Sequence, residues 1–105
     1  MIDADQQVAH WIAGAREDWG VAVDLVERRR IRQGLFFAHL AVEKALKSHV
    51  YRHTQDLAPR THNLIRLAEV AGLQPDESQS STLTALHTFS EAGRYPGATG
   101  PGAHA

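Results

Sequence analysis

The sequence predicts an all-α fold, an up-and-down four-helix bundle. Three observations carry this: apolar residues recur at three- and four-residue steps in four segments, no segment alternates Val, Ile or Thr as a strand does, and capping or breaking residues stand between the segments. Two long and two shorter amphipathic helices on brief loops bury their stripes most simply as a bundle.

The first helix, capped by Asp3 or Asp5, runs to about Arg29, because Val8, Trp11, Ile12, Ala15, Trp19, Ala22, Leu25 and Val26 form one stripe to be buried. A second runs from Ile31 to His53 on Leu35, Ala38, Val42, Leu46 and Val50, with Phe36, Phe37 and Leu40 widening its apolar surface. Pro59 makes residues 56–63 a loop, Thr61 is a natural cap for a short third helix through Ala71, and Gly72 ends it. Asp76 caps a fourth helix that carries Leu83, Leu86 and Phe89 and ends near Gly93; its Ser-rich first half is weakly helical. Residues 1–96 therefore read as the helical bundle, and residues 97–105, rich in Gly, Pro and Ala, as a flexible tail. The apolar faces are wide for so short a chain, which leads us to expect a second buried surface between subunits, most simply in a two-fold homodimer.

With 105 residues, 43% of them hydrophobic and 22% charged, the chain has the composition of one folded domain and not of a disordered segment. It has no cysteine, which excludes disulfides, thiolate metal sites and cysteine nucleophiles. With no basic and apolar leader at its start and no apolar run of membrane-spanning length, it is expected in the cytoplasm, away from membranes. The net charge of −1 hides an uneven distribution. Residues 28–66 hold nine bases (Arg28, Arg29, Arg30, Arg32, Lys44, Lys47, Arg52, Arg60 and Arg66) against Glu43 and Asp56, whereas both flanking segments are acidic. The basic middle is either an anion-binding surface or a set of solvated faces paired with the flanking acids.

Glu43 and Lys47 form an i,i+4 pair in the favourable order, and His39 lies one turn before Glu43, suited to a local polar contact. His49 and His53 share a helix face at the spacing of two metal ligands, and His62 could approach them from the third helix entry. Without a carboxylate companion these read as an exposed pair, so neither a metal nor another cofactor is expected. No Gly-rich phosphate loop, Ser-His-Asp set or paired-carboxylate motif is present.

Four motifs occur in order: Trp19 with Asp24-Leu, Ala41-Val-Glu-Lys-Ala-Leu-Lys, Thr61-His-Asn-Leu and Arg94-Tyr-Pro. In these the chain resembles the HEPN family, small helical bundles named for higher eukaryotes and prokaryotes and for nucleotide binding. The resemblance covers nearly the whole folded chain. It implies a homodimer, often made beside a minimal nucleotidyltransferase as a toxin–antitoxin pair, and nucleotide or RNA binding for which Lys44, Lys47, Arg52, Arg60, Arg94 and Tyr95 are the candidate ligand-binding residues.

Many HEPN proteins are metal-independent ribonucleases that use an Arg followed four to six residues later by a His. The imidazole moves a proton at the ribose 2′-hydroxyl, and the guanidinium holds the phosphate. Here the resemblance puts that arginine at Arg94, but Thr99, Gly100 and Pro101 stand where the histidine belongs, and His104 is too far along. The helix that many members place after this point has no counterpart either. The expectation is thus a noncatalytic binding module. The alternative is a ribonuclease using Arg94 with a histidine from elsewhere, His39 or His87; Arg32 and His39 match the motif spacing but lie about 10 Å apart along a helix.

Overall fold

A computed structural model describes residues 4–94, with side chains for residues 5–89. It is an all-α bundle of four helices: α1 (Ala4–Glu27), α2 (Ile31–Thr54), α3 (Leu64–Val70) and α4 (Glu77–Arg94), with no strand among the described residues. The expected tail, Tyr95 and His104 lie outside the described residues, as does the Arg94 side chain. No described helix is long and apolar enough to cross a membrane.

The first two helices form an antiparallel hairpin. Lys47 lies over the Trp11 ring, Lys44 pairs with Asp18, and Gly34 meets Ala22 and Val26, so positions climb on α1 as they fall on α2. The seam is made of small side chains: Ala15, Ala22, Ala38 and Ala41 are buried, which lets the backbones approach closely. Among the described residues α1 packs against α2 alone. The wide α1 stripe is therefore only partly buried, contrary to the single buried face expected from the sequence. Val8, Ala15, Asp18 and Ala22 face α2, while Trp19 and Val26 remain 51% and 42% exposed beside the seam.

A separate core sits on the far half of α2. Leu46 and Val50 meet Leu64, Leu67, Ala68 and Ala71 of the α3 region, and Leu83 and Leu86 of α4 close over them. The cap of α3 is Asn63, whose side chain accepts from Arg66 N, and not Thr61. Thr61 stands two residues earlier, where its hydroxyl accepts from Asn63 N at 3.0 Å and shapes the approach. Asp76 caps α4 as expected: Asp76 Oδ1 accepts from Gln79 N at 2.7 Å and Gln79 Oε1 from Asp76 N at 2.9 Å, a reciprocal capping box.

Two helix ends share one backbone motif with different residues. After α3, Gly72 has φ +74°, with Leu73 N donating to Ala68 O and Gly72 N to Glu69 O. After α1, Arg30 N donates to Leu25 O and Arg29 N to Val26 O, but the left-handed position holds Arg29, at φ 64°. Glycine fills such a position without strain; arginine does so at a cost of about 1 kcal/mol.

Candidate functional site

The polar residues of the basic middle divide into two sets. The first lies along one side of α2, where His39, Glu43 and Lys47 recur every fourth residue. Glu43 is buried, and three groups converge on its carboxylate. Lys47 Nζ donates to Oε2 at 2.9 Å, His62 Nδ1 lies 3.0 Å from both oxygens, and His39 Nδ1 faces Oε1 at 3.5 Å, long enough that this contact is mainly electrostatic. Burial alone would raise the Glu43 pKa, but hydrogen bonds from Lys47 and His62, and their charges, outweigh it and hold the group below the ordinary carboxylate value.

His39 is fully buried, and its Nε2 lies 3.2 Å from the His62 carbonyl oxygen. A carbonyl only accepts, so His39 Nε2 carries the proton and donates it. His39 therefore fastens the loop before α3 to α2 and is closed to any substrate. This corrects the sequence reading that named it as a catalytic candidate. Its proposed companion Arg32 is exposed near the start of α2, two turns away. His87 is partly buried, with a shielded Nδ1.

The lysines are not free ligands either. Lys44 Nζ holds the buried Asp18 across the hairpin seam at 2.8 Å, and Lys47 is engaged by Glu43 and lies 5.4 Å from the Trp11 ring centroid. Arg52 and Arg60 are exposed and make no ion pair among the described residues. His53 lies against Gly72, whereas His62 faces Glu43, so the histidines weighed as metal ligands serve different contacts. No group of three or more possible metal ligands occurs among the described residues.

The second set is the α1–α2 turn. Arg28, Arg29, Arg30 and Arg32 are all exposed within five residues. Arg28 makes a surface pair with Asp24 at 3.3 Å; the other three make none among the described residues. The turn opens α2, a 24-residue helix whose first turn holds no acid and whose N-cap, Arg30, makes no side-chain capping bond, so the positive end of the helix adds to the arginines.

Sequence reasoning missed the tie between Glu43 and His62. The polar repeat 39–43–47, on a helix buried on more than one side, was its available signal, but nothing in the spacing places residue 62 beside it.

Fold and site define a class: a small helical bundle with an internal carboxylate that ties the second helix to the loop before the third, and an arginine-rich turn. The chain belongs to the HEPN family, whose HEPN domain model matches residues 8–102. Neither the curated proteins nor the solved structures gave a match.

Proposed function

We propose that this chain is a HEPN module that pairs with a second copy of itself and binds RNA through the arginines of the α1–α2 turn. The observation that carries the reading is the division of the cations: both lysines are committed inside the fold, while Arg29, Arg30 and Arg32 face solvent together without acidic partners among the described residues. The groove beside the turn, with walls of Trp19, Val23, Val26 and Leu35, offers few polar partners to a single nucleotide. An exposed arginine row suits an extended phosphate backbone better. The same apolar groove, continued past Trp19 to Val42 and Ala45, supports pairing, and twice the monomer mass is expected by light scattering at tens of micromolar.

Arg29→Gly separates binding from folding. It relieves the left-handed strain, so the protein is expected to gain about 0.5–1 kcal/mol in urea unfolding. It also removes one phosphate partner, so affinity for labelled single-stranded RNA at low salt, read by fluorescence anisotropy, is expected to fall roughly two- to fivefold. A variant that is more stable and binds unchanged would take the turn out of the interface. A competing anion-binding role for a nucleotidyltransferase partner would show as no RNA binding by the wild type.

A further inference from the structure

We propose that His62 is a phosphoryl-acceptor site: its Nε2, presented by the Glu43 carboxylate, takes a phosphoryl group from an acyl phosphate and holds it as phosphohistidine. The site is independent of the arginine turn and of RNA binding.

His62 is 55% exposed as a side chain, yet its ring is fixed: Nδ1 lies 3.0 Å from both oxygens of the buried Glu43. The backbone behind it is fixed as well, by His39 Nε2 on its carbonyl at 3.2 Å, by Thr61 N donating to Pro59 O at 2.8 Å and by Asn63 N donating to Thr61 Oγ1 at 3.0 Å. The carbonyl contact alone would tether the loop. Orienting a half-exposed imidazole with a buried carboxylate in addition is what a nucleophilic ring nitrogen requires. Glu43 is held below the ordinary carboxylate value and an ionised carboxylate only accepts, so Nδ1 carries the hydrogen and the neutral ring keeps its lone pair on Nε2. That nitrogen lies on the ring edge away from Glu43 and makes no hydrogen bond among the described residues.

The surrounding charges suit a phosphoryl group. Lys47 bonds Glu43 Oε2 at 2.9 Å and offsets a negative charge that would otherwise repel a dianion. Arg60, exposed, lies two residues earlier in the loop. The exposed His10, His49 and His53 lack such a setting, since none pairs with a carboxylate among the described residues.

In the step, the Nε2 lone pair bonds to phosphorus, and the bond from phosphorus to the acyl oxygen breaks, its electron pair leaving on a carboxylate. The ring keeps its Nδ1 hydrogen and gains positive charge as Nε2 makes the new bond. Glu43 stabilises that charge through the hydrogen bond already in place. No proton has to leave, and the acyl phosphate is the sole co-reactant. Glu43 is a positioning residue for this step.

The protein is incubated with acetyl phosphate at neutral pH. Phosphoryl content is read by intact mass, the nitrogen that carries it by phosphorus NMR, and its position by peptide fragmentation in alkali, where phosphohistidine survives. The expected product is one acid-labile phosphoryl group on His62 Nε2, formed about tenfold faster than on His49 or His53 of the same molecule. Glu43→Gln is expected to slow labelling of His62 about tenfold and to leave the rates at His49 and His53 unchanged, a split that a merely structural role of Glu43 would not produce. Should that variant melt early by circular dichroism, the comparison of histidines within the wild type decides. No label, a label on His62 no faster than on His49 and His53, attachment through Nδ1, or an unchanged His62 rate in folded Glu43→Gln overturns the assignment.

Discussion

Replacing Glu43 by alanine is expected to lower the unfolding free energy by about 3–5 kcal/mol, measured by urea denaturation, a large part of what a domain of this size has in total. The carboxylate is 6% exposed and is the shared acceptor for Lys47 and His62. Without it the Lys47 ammonium, only 18% exposed, keeps its charge with no carboxylate beside it, and His62 loses the group that anchors its ring. The effect should also reach beyond α2, because the same carboxylate holds the loop that leads into α3. Glu43→Gln keeps the volume and one acceptor but sets an amide donor against donors, so a smaller loss is expected.

The same residue gives stability a definite acid dependence. Its folded pKa lies below the ordinary carboxylate value, so its contribution is complete above the unfolded value and is lost as pH falls through the folded one. Wild-type stability should therefore begin to drop below about pH 4.5 from this group, and that component should be missing in Glu43→Gln.

Gly34→Ala is expected to destabilise by about 1–3 kcal/mol, against the helix propensity that favours alanine by roughly 1 kcal/mol. A Cβ at position 34 would fall 2.6 Å from Val26 Cγ2, 3.1 Å from Ala22 O and 3.2 Å from Val26 N. Two of those three atoms are backbone, so relief requires the hairpin helices to separate, which loosens the alanine-lined seam. The two α1 glycines supply the contrast. At Gly20 nothing lies within 4 Å, so alanine should stabilise, and at Gly14 the nearest atoms belong to the flexible Lys44 side chain, at 3.1 Å, so alanine should be nearly neutral. Urea midpoints of the three variants should rank in the order Gly20, Gly14, Gly34; a Gly34→Ala protein as stable as the wild type would mean the helices are not held so close.

The helices were legible because each has an uninterrupted apolar period and strong boundaries. Pro59, Gly72 and the Asp76–Gln79 box stop and start elements through local backbone chemistry that needs no tertiary information. The cap of α3 was misplaced by two residues because Thr61 and Asn63 are both good capping types, and only the turn between them decides which faces the helix. The α1 stripe was legible as apolar but not as divided, since period alone cannot say that α2 covers Ala15 and Ala22 and leaves Trp19 beside the seam. In the site, the contacts within one helix, His39 with Glu43 and Glu43 with Lys47, followed from i,i+4 spacing. The pairs between elements, Asp18 with Lys44 and Glu43 with His62, did not, because they depend on hairpin register and on the path of the loop. Asp18 holds Lys44 and Glu43 holds Lys47, so the nine bases of residues 28–66 offer fewer free cations than the composition suggests.

The most direct measurement of the central claim is the salt dependence of RNA binding, with affinity for a labelled single strand followed from about 50 to 200 mM salt. Each phosphate neutralised on a single strand contributes a slope near −0.7 in log affinity against log salt, so three turn arginines predict roughly −2. The double variant Arg30→Ala/Arg32→Ala should lower the magnitude by about 1.4 and weaken binding at every salt concentration. A slope near zero, or one that the double variant leaves unchanged, would contradict the placement of RNA on the arginine turn.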